Sequence, residues 1–398
     1  MVLPIRDGLN LLSRVMKSPV QPKLKSIQAL RGIAAFIVML YHIGERQIMV
    51  LNANKPTVTD GWLLSGPWRQ GYAGVDLFFL ISGFIMVYVS FKDERSVRDV
   101  GGFLYRRVVR IYPLWWVFAS IMGIYFYLAY GLWGAPDLKG GVTPDFSYFV
   151  RSLLLIPQES FPVLRLGWTL IHEMQFYLIF AILLFFPRKF LVPSLLVWGG
   201  IVSLGFALGW TELNGTFSVL FSLLSLEFIV GAILAWLLLK GRVFAPKALF
   251  WVGVILSVLA FIFYTDKSID LTRWGRVAVY TLPFAALIYG AAGQEINGTL
   301  KCPKWLVTLG DWSYSLYLVH YLVMVVVVRI GRMLASYAPD DLVATLTIGA
   351  PGIWDNLVFT LATVILSLIA AAISYRLIEQ PTLKVARRLK FSRGAKAG

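Results

Sequence analysis

SIQALRGIAAFIVMLYH, residues 26–42, is the stretch whose reading decides the fold. Ten uncharged residues separate Arg31 from His42, and the run over 28–44 is about long enough to cross a bilayer's hydrocarbon core as a helix. At 100° per residue, the eleven-residue interval makes three turns plus about 20°. Arg31 and His42 therefore share one helical face, ~16 Å apart along the axis. An ionisable side chain inside such a helix is costly and points by default to function. The other two histidines, His172 in WTLIHEMQFY (168–177) and His320 in SYSLYLVHYLV (313–323), also sit in long apolar segments.

The rest of the chain repeats the pattern. It is 398 residues long and 58% hydrophobic, with 15% charged residues and a mean hydropathy of +0.72. A soluble domain carries roughly a quarter charged residues, so the composition predicts an all-α, polytopic membrane protein. The single cysteine, Cys302, excludes an internal disulfide framework, and no Cys/His/Asp cluster has metal-ligand spacing. The net charge of +16 follows the membrane rather than pointing to nucleic acid. Residues 1–26 are basic with no uninterrupted apolar core, and read as a cytoplasmic tail rather than a signal peptide. A short interfacial helix over 9–16 and a disordered tail are both open there.

Apolar runs of spanning length fall near 28–44, 74–91, 111–130, 168–187, 191–210, 216–239, 247–264, 275–293, 306–328 and 354–376. About ten spans place both termini on one side. With the N-terminus inside, 26 of the 37 Lys and Arg residues fall on inner segments and 11 on outer ones. That bias predicts an N-in, C-in topology. His42, Asp76 of GVDLFF, Glu173 and His320 then converge on one layer in the outer half. Glu173 lies one turn from Tyr177 and needs a partner from another span, because a buried carboxylate is expensive unless paired. His42 is the candidate, although His172 beside Glu173 leaves open which histidine neighbours it. Arg107 and Arg110 share a helix face at the inner end of span three. They read either as phosphate-binding forks or as ordinary positive-inside residues. Tyr314, Tyr317, Tyr321 and Trp168 read as the wall of a passage toward His320, or as an aromatic packing face. Gly32, Gly74 and Gly83 read as close-packing positions. Pro381, after Tyr375, Arg376 and Glu379, is expected to end the last helix at the inner surface.

Six pieces in order, SIQALRGIAAFIVMLYH, GVDLFFLISGFIM, RRVVRIYPLWW, WTLIHEMQFY, LGDWSYSLYLVH and SYRLIEQP, resemble the bacterial membrane acyltransferase-3 family. The closest likeness is to its exopolysaccharide O-acetyltransferase branch. The resemblance runs from about residue 25 to 383, nearly the whole chain. It implies a transmembrane acyltransferase domain over 27–383, followed by a basic cytoplasmic tail over 384–398.

The family's Arg–x10–His pair maps onto Arg31 and His42, and its Arg–x–x–Arg pair onto Arg107 and Arg110. In its W-S-L-x-x-E motif, Thr169 stands here in place of Ser. The resemblance implies an O-acyltransferase, O-acetyl in the first place, of the bacterial inner membrane. It would move an acyl group from acyl-CoA to a sugar hydroxyl of an exopolysaccharide, lipopolysaccharide or lipid-linked glycan. No permanently bound cofactor is implied. Arg31, Arg107 and Arg110 would hold the donor. His42 would act as general base or acyl carrier, oriented by Glu173 or Asp76. A glycan or lipid flippase is the rival reading, since intramembrane charges also line transport pathways. No repeated half of the kind many transporters carry is visible.

Overall fold

The computed structural model describes residues 22–54, 67–91, 96–130, 146–264, 274–339, 342 and 353–394. The expectations for residues 1–21 and 395–398 lie outside the described residues. Every regular element described is helical. Numbered in chain order, α1 is Lys25–Asn54, α2 Gly74–Ser90, α3 Val97–Tyr130, α4 Phe146–Leu154, α5 Gly167–Leu183, α6 Leu191–Ala207 and α7 Gly215–Leu220. They continue with α8 Leu224–Leu239, α9 Pro246–Phe263, α10 Trp274–Ile296, α11 Lys304–Asp311, α12 Ser313–Ala335, α13 Ile353–Ser374 and α14 Gln380–Gly394.

Among the described residues, nine helical stretches are long and apolar enough to span a membrane, and the shorter α5 supplies a tenth apolar helix. In a bilayer the backbone must satisfy its own hydrogen bonds, so an apolar run of this length becomes a helix whatever its detailed order. The protein is accordingly an all-α, multi-pass membrane protein.

Close helix contacts are made where side chains vanish. A Cβ on Gly83 of α2 would stand 1.9 Å from the Phe228 carbonyl oxygen of α8, and one on Gly231 of α8 would stand 1.9 Å from that of Leu80. Gly32 and Gly310 similarly bring α1 against α11, and Gly74 sits on the Ala34 carbonyl. These are packing glycines, as the sequence suggested for Gly32, Gly74 and Gly83; Gly231 and Gly310 join them.

The inner ends are tied together by polar contacts. The Glu295 carboxylate of α10 accepts from the backbone N–H groups of Lys25 (2.8 Å) and Ser26 (2.7 Å) at the start of α1. Those donors have no partner within their own helix. Lys23 pairs with Asp311, and Tyr105 of α3 donates to the Ala386 carbonyl of α14. The start of α1 thus lies beside the ends of α10 and α11, and α3 beside α14.

Three boundaries differ from expectation. The ninth run is broken at Trp312 into α11 and α12, so its membrane helix begins at Ser313 rather than near residue 306. The sixth run breaks after Leu220. Pro381 does not end the last helix. A π-helical turn over Tyr375–Glu379 precedes it, and α14 continues to Gly394, so the first eleven residues of the expected tail (384–394) are helical. A wider turn relieves the clash between the proline ring and the preceding turn.

The largest departure is between α3 and α5. Segment 146–166 folds back into the bundle. The Trp115 indole donates to the Ser152 carbonyl (3.1 Å), that of Trp116 to Leu153 (3.0 Å), and Tyr112 to Leu154 (2.9 Å). The last carbonyls of a helix lack intrahelical partners. Here α3 supplies the donors, which permits irregular backbone at membrane depth. As a result α5 starts inside the bundle rather than at the outer surface.

A candidate active site of two stacked layers

Thr169, in the first turn of α5, is hydrogen-bonded hydroxyl to hydroxyl with Tyr317 at 2.8 Å. Tyr317 is four residues from the inner end of α12, about 6 Å along its axis. Glu173, one turn further along α5, therefore lies in the inner part of the bundle. This overturns the expectation that it shares an outer layer with His42.

The inner layer surrounds a cavity of about 110 Å³. Arg31 (α1), Ser82 (α2), Arg107 and Arg110 (α3), Glu173 (α5) and Tyr314 (α12) face it. Glu173 accepts from Ser82 Oγ at 2.9 Å and from the Tyr177 hydroxyl. Neither His42 nor His172 is its partner. His172 instead contacts the Trp168 carbonyl through Nδ1 (2.9 Å) and packs beside the Phe79 ring. The 100° between consecutive helix positions sends the two neighbouring side chains to different surroundings.

Arg110 is paired with Glu379 of the π-helical turn, which also accepts from Ser315 Oγ at 2.7 Å. Arg107 lies over the rings of Phe103 (5.4 Å) and Tyr177 (5.6 Å), and its buried Nε has no hydrogen-bond partner. Arg31 feels the charges of Glu173, Glu379 and Arg110. Three guanidiniums thus meet two carboxylates, a formal excess of one positive charge. A cavity of this kind suits an anion with several acceptor oxygens.

The second layer lies past Thr169 and Tyr317. His42 Nδ1 is 3.1 Å from His320 Nε2, with ring centroids 5.2 Å apart. Tyr41 and Tyr321 present ring edges to His42, and Glu45, one turn further out on α1, pairs with Arg165 at 3.2 Å. His320 is fully buried and its ring centroid is 6.1 Å from that of Tyr317. Arg31 lines the cavity and His42 meets His320 in the layer beyond it, both from one face of α1.

Asp76 does not orient His42. Its carboxylate is completely buried and takes two bonds from Arg276 of α10, from Nε at 2.9 Å and Nη2 at 2.7 Å. Trp168 is not part of the cavity wall. Its ring packs edge-on to those of Phe79 and His172. Of the nine residues expected at the site, Arg31, Arg107, Arg110, Glu173 and Tyr317 line the cavity, and His42 and His320 meet just beyond it. Asp76 and Trp168 fall elsewhere.

Sequence reasoning assigned Glu379 to a helix terminus and passed over Ser82 and Arg165. Glu379 had a detectable signal: three arginines in one inner layer need more than one carboxylate. Ser82, an ordinary hydroxyl in an apolar run, gave none.

Comparison with known proteins bears directly on this arrangement. The family described as an acyltransferase domain, Acyl_transf_3, matches residues 24–376. The exopolysaccharide production protein ExoZ of Rhizobium meliloti (strain 1021) is 32% identical over 340 residues, covering 81% of this chain and 93% of that protein. The acyltransferase MdmB of Streptomyces mycarofaciens is 27% identical over 393 residues, covering 92% of this chain and 93% of its own. No solved structure matches. With the family match spanning most of the chain, and with ExoZ 32% identical over most of both proteins, the chain belongs to the membrane acyltransferase-3 family and is an acyltransferase.

Proposed function

We propose that the protein is an inner-membrane O-acetyltransferase, moving an acetyl group from acetyl-CoA to a sugar hydroxyl of an exopolysaccharide or its lipid-linked precursor. The observation that carries this reading is the stacking of the two layers. An arginine cavity with a spare guanidinium nitrogen lies on the inner side, and an imidazole pair lies directly beyond it. Coenzyme A brings phosphates and a thioester from the cytoplasm. Arg107 and Arg110 hold the phosphates in charge-assisted bonds, and Arg31 draws the donor inward. The hydroxyls of Thr169 and Tyr317, bonded to each other and to the Leu166 carbonyl, stand between the two layers where the acyl end passes. Glu173 and Glu379 keep the arginines in place.

His42 takes the proton from the acceptor hydroxyl, a role worth roughly 10²–10⁴-fold. The sugar oxygen bonds to the thioester carbonyl carbon, the C–S bond breaks, and the proton returns from the imidazole to the departing thiolate. The polysaccharide acceptor is supported by the similarity to ExoZ, whose name records exopolysaccharide production.

Two measurements test the reading. Purified protein in nanodiscs is incubated with radiolabelled acetyl-CoA and lipid-linked or soluble glycan acceptors, and ester formation is followed by mass spectrometry. Acetyl ester on sugar is expected, and free coenzyme A without an ester product on any glycan would sink the acceptor assignment. In a Cys302→Ser background, cysteines replacing Ser96 and Phe146 test the sidedness. The first should resist an impermeant thiol reagent in intact cells and the second should react.

A further inference from the structure

The histidine pair carries more information than proximity. His320 Nδ1 is 2.9 Å from the Leu316 carbonyl oxygen, one turn back on α12. A carbonyl can only accept, so this nitrogen bears the proton. In a neutral imidazole the other nitrogen then has a lone pair and no hydrogen. That other nitrogen, His320 Nε2, is the atom 3.1 Å from His42 Nδ1. The contact is a hydrogen bond only if His42 Nδ1 carries the hydrogen and donates. Of the two nitrogens of His42, Nε2 is left with the free lone pair.

From this chain of bonds we infer that His320 is the positioning residue of the acyltransferase. By accepting from His42 Nδ1–H, alongside the Val38 carbonyl that the His42 ring meets one turn back on α1, it holds His42 in the tautomer whose Nε2 takes the acceptor's proton. The inference rests on His42 being the base in the proposed function. It gives His320 the task that a carboxylate performs in many hydrolases, which neither Asp76 nor Glu173 is placed to do here. A neutral acceptor suits this location, because another full charge in the bundle is expensive unless paired.

During transfer the acceptor O–H proton moves to His42 Nε2, while Nδ1–H becomes a charge-assisted donor to His320 Nε2. When the C–S bond has broken, that same proton leaves Nε2 for the thiolate. His320 ends as it began. The charged and titratable neighbours of the pair are Arg165, Glu45, Tyr41, Tyr317 and Tyr321.

The test uses the full-length protein in nanodiscs and has two arms. With only three histidines in the chain, 15N spectra of histidine-labelled protein can be assigned from single His→Gln variants. Both His42 and His320 are expected as the Nδ1–H tautomer. A proton on Nε2 of either ring in the resting protein overturns the inference, and no variant need be active for that reading.

In the second arm, His320→Leu removes the acceptor, whereas His320→Gln offers an amide oxygen near the position of Nε2. His320→Leu is expected to lower kcat roughly 10²-fold, with the acetyl-CoA KM unchanged. His320→Gln should recover at least about a tenth of parental kcat. Equal loss in both variants, or parental kcat in His320→Leu, overturns it. An inactive His42→Ala beside a fully active His320→Leu would sink this inference alone. A fully active His42→Ala would sink the proposed base and this inference together.

Discussion

Asp76 and Arg276 form a bidentate ion pair away from the cavity, whereas Arg107 lines the cavity of the inner layer with no carboxylate bonded to it; each arginine keeps one buried nitrogen without a partner. Both places bury charge within the bundle. At the first, a bidentate bond ties α2 to α10, and neither residue touches the cavity. At the second, five helices bring three guanidiniums to space that a ligand can enter. The difference teaches that burying a charge in a membrane protein is not in itself a mark of function. A charge that a carboxylate of its own chain holds bidentately ties helices together, and one that faces a cavity without such a carboxylate has capacity for something else. Retaining a buried pair gains little net stability, but removing one partner strands the other at a cost of about 3–5 kcal/mol.

The strongest test of this comparison is on the cavity side. His42→Ala should reduce transfer from labelled acetyl-CoA by roughly 10²–10⁴-fold while leaving detergent-solubilised protein monodisperse. Undiminished transfer would remove His42 from the chemistry. On the other side, Asp76→Ala should destabilise the fold by up to about 3–5 kcal/mol, because Arg276 then loses both its hydrogen bonds and keeps only the buried Glu227 as a neighbouring carboxylate. A thermal melt in nanodiscs reads this as a large fall in Tm. An unchanged Tm with lost activity would instead move Asp76 into the site.

Within the cavity, Arg107→Gln should raise the acetyl-CoA KM by roughly tenfold with little change in Tm, since it removes a charge-assisted bond to ligand alone. Arg110→Gln should raise KM and also lower Tm, because it abandons Glu379. A donor titration beside a melt separates the two, and identical behaviour would erase the distinction between paired and spare guanidiniums. The smallest effect is expected at Trp168→Phe, within about 0.5 kcal/mol in stability, the range of substitutions away from special features. Transfer should stay near parental. A pronounced loss of transfer would return Trp168 to the passage.

Hydropathy made the helical class and the membrane segments legible, nine of them long enough to span among the described residues, since a bilayer compels an apolar run of twenty or so residues to satisfy its backbone within one helix. The spacing of Arg31 and His42 placed both on one helical face, because that interval lies within a single rigid element. The same reasoning failed for Glu173. Its depth depends on where α5 begins, and that is set by Trp115, Trp116 and Tyr112 drawing segment 146–166 into the bundle. Pro381 misled because a π-helical turn absorbed it, bringing Glu379 to Arg110.

By itself, then, the sequence determined which residues lie in the membrane and which share a helix face, properties fixed by local geometry and by the cost of exposing backbone to lipid. The tertiary structure alone decided who meets whom: Asp76 with Arg276, Glu173 with Ser82 and Tyr177, and His42 with His320. Such partnerships depend on the rotation and depth of each helix against its neighbours. One residue of rotation turns a side chain by 100° and one turn of depth moves it by about 5.4 Å. Both displacements are large compared with a hydrogen bond, and neither is written in any single segment.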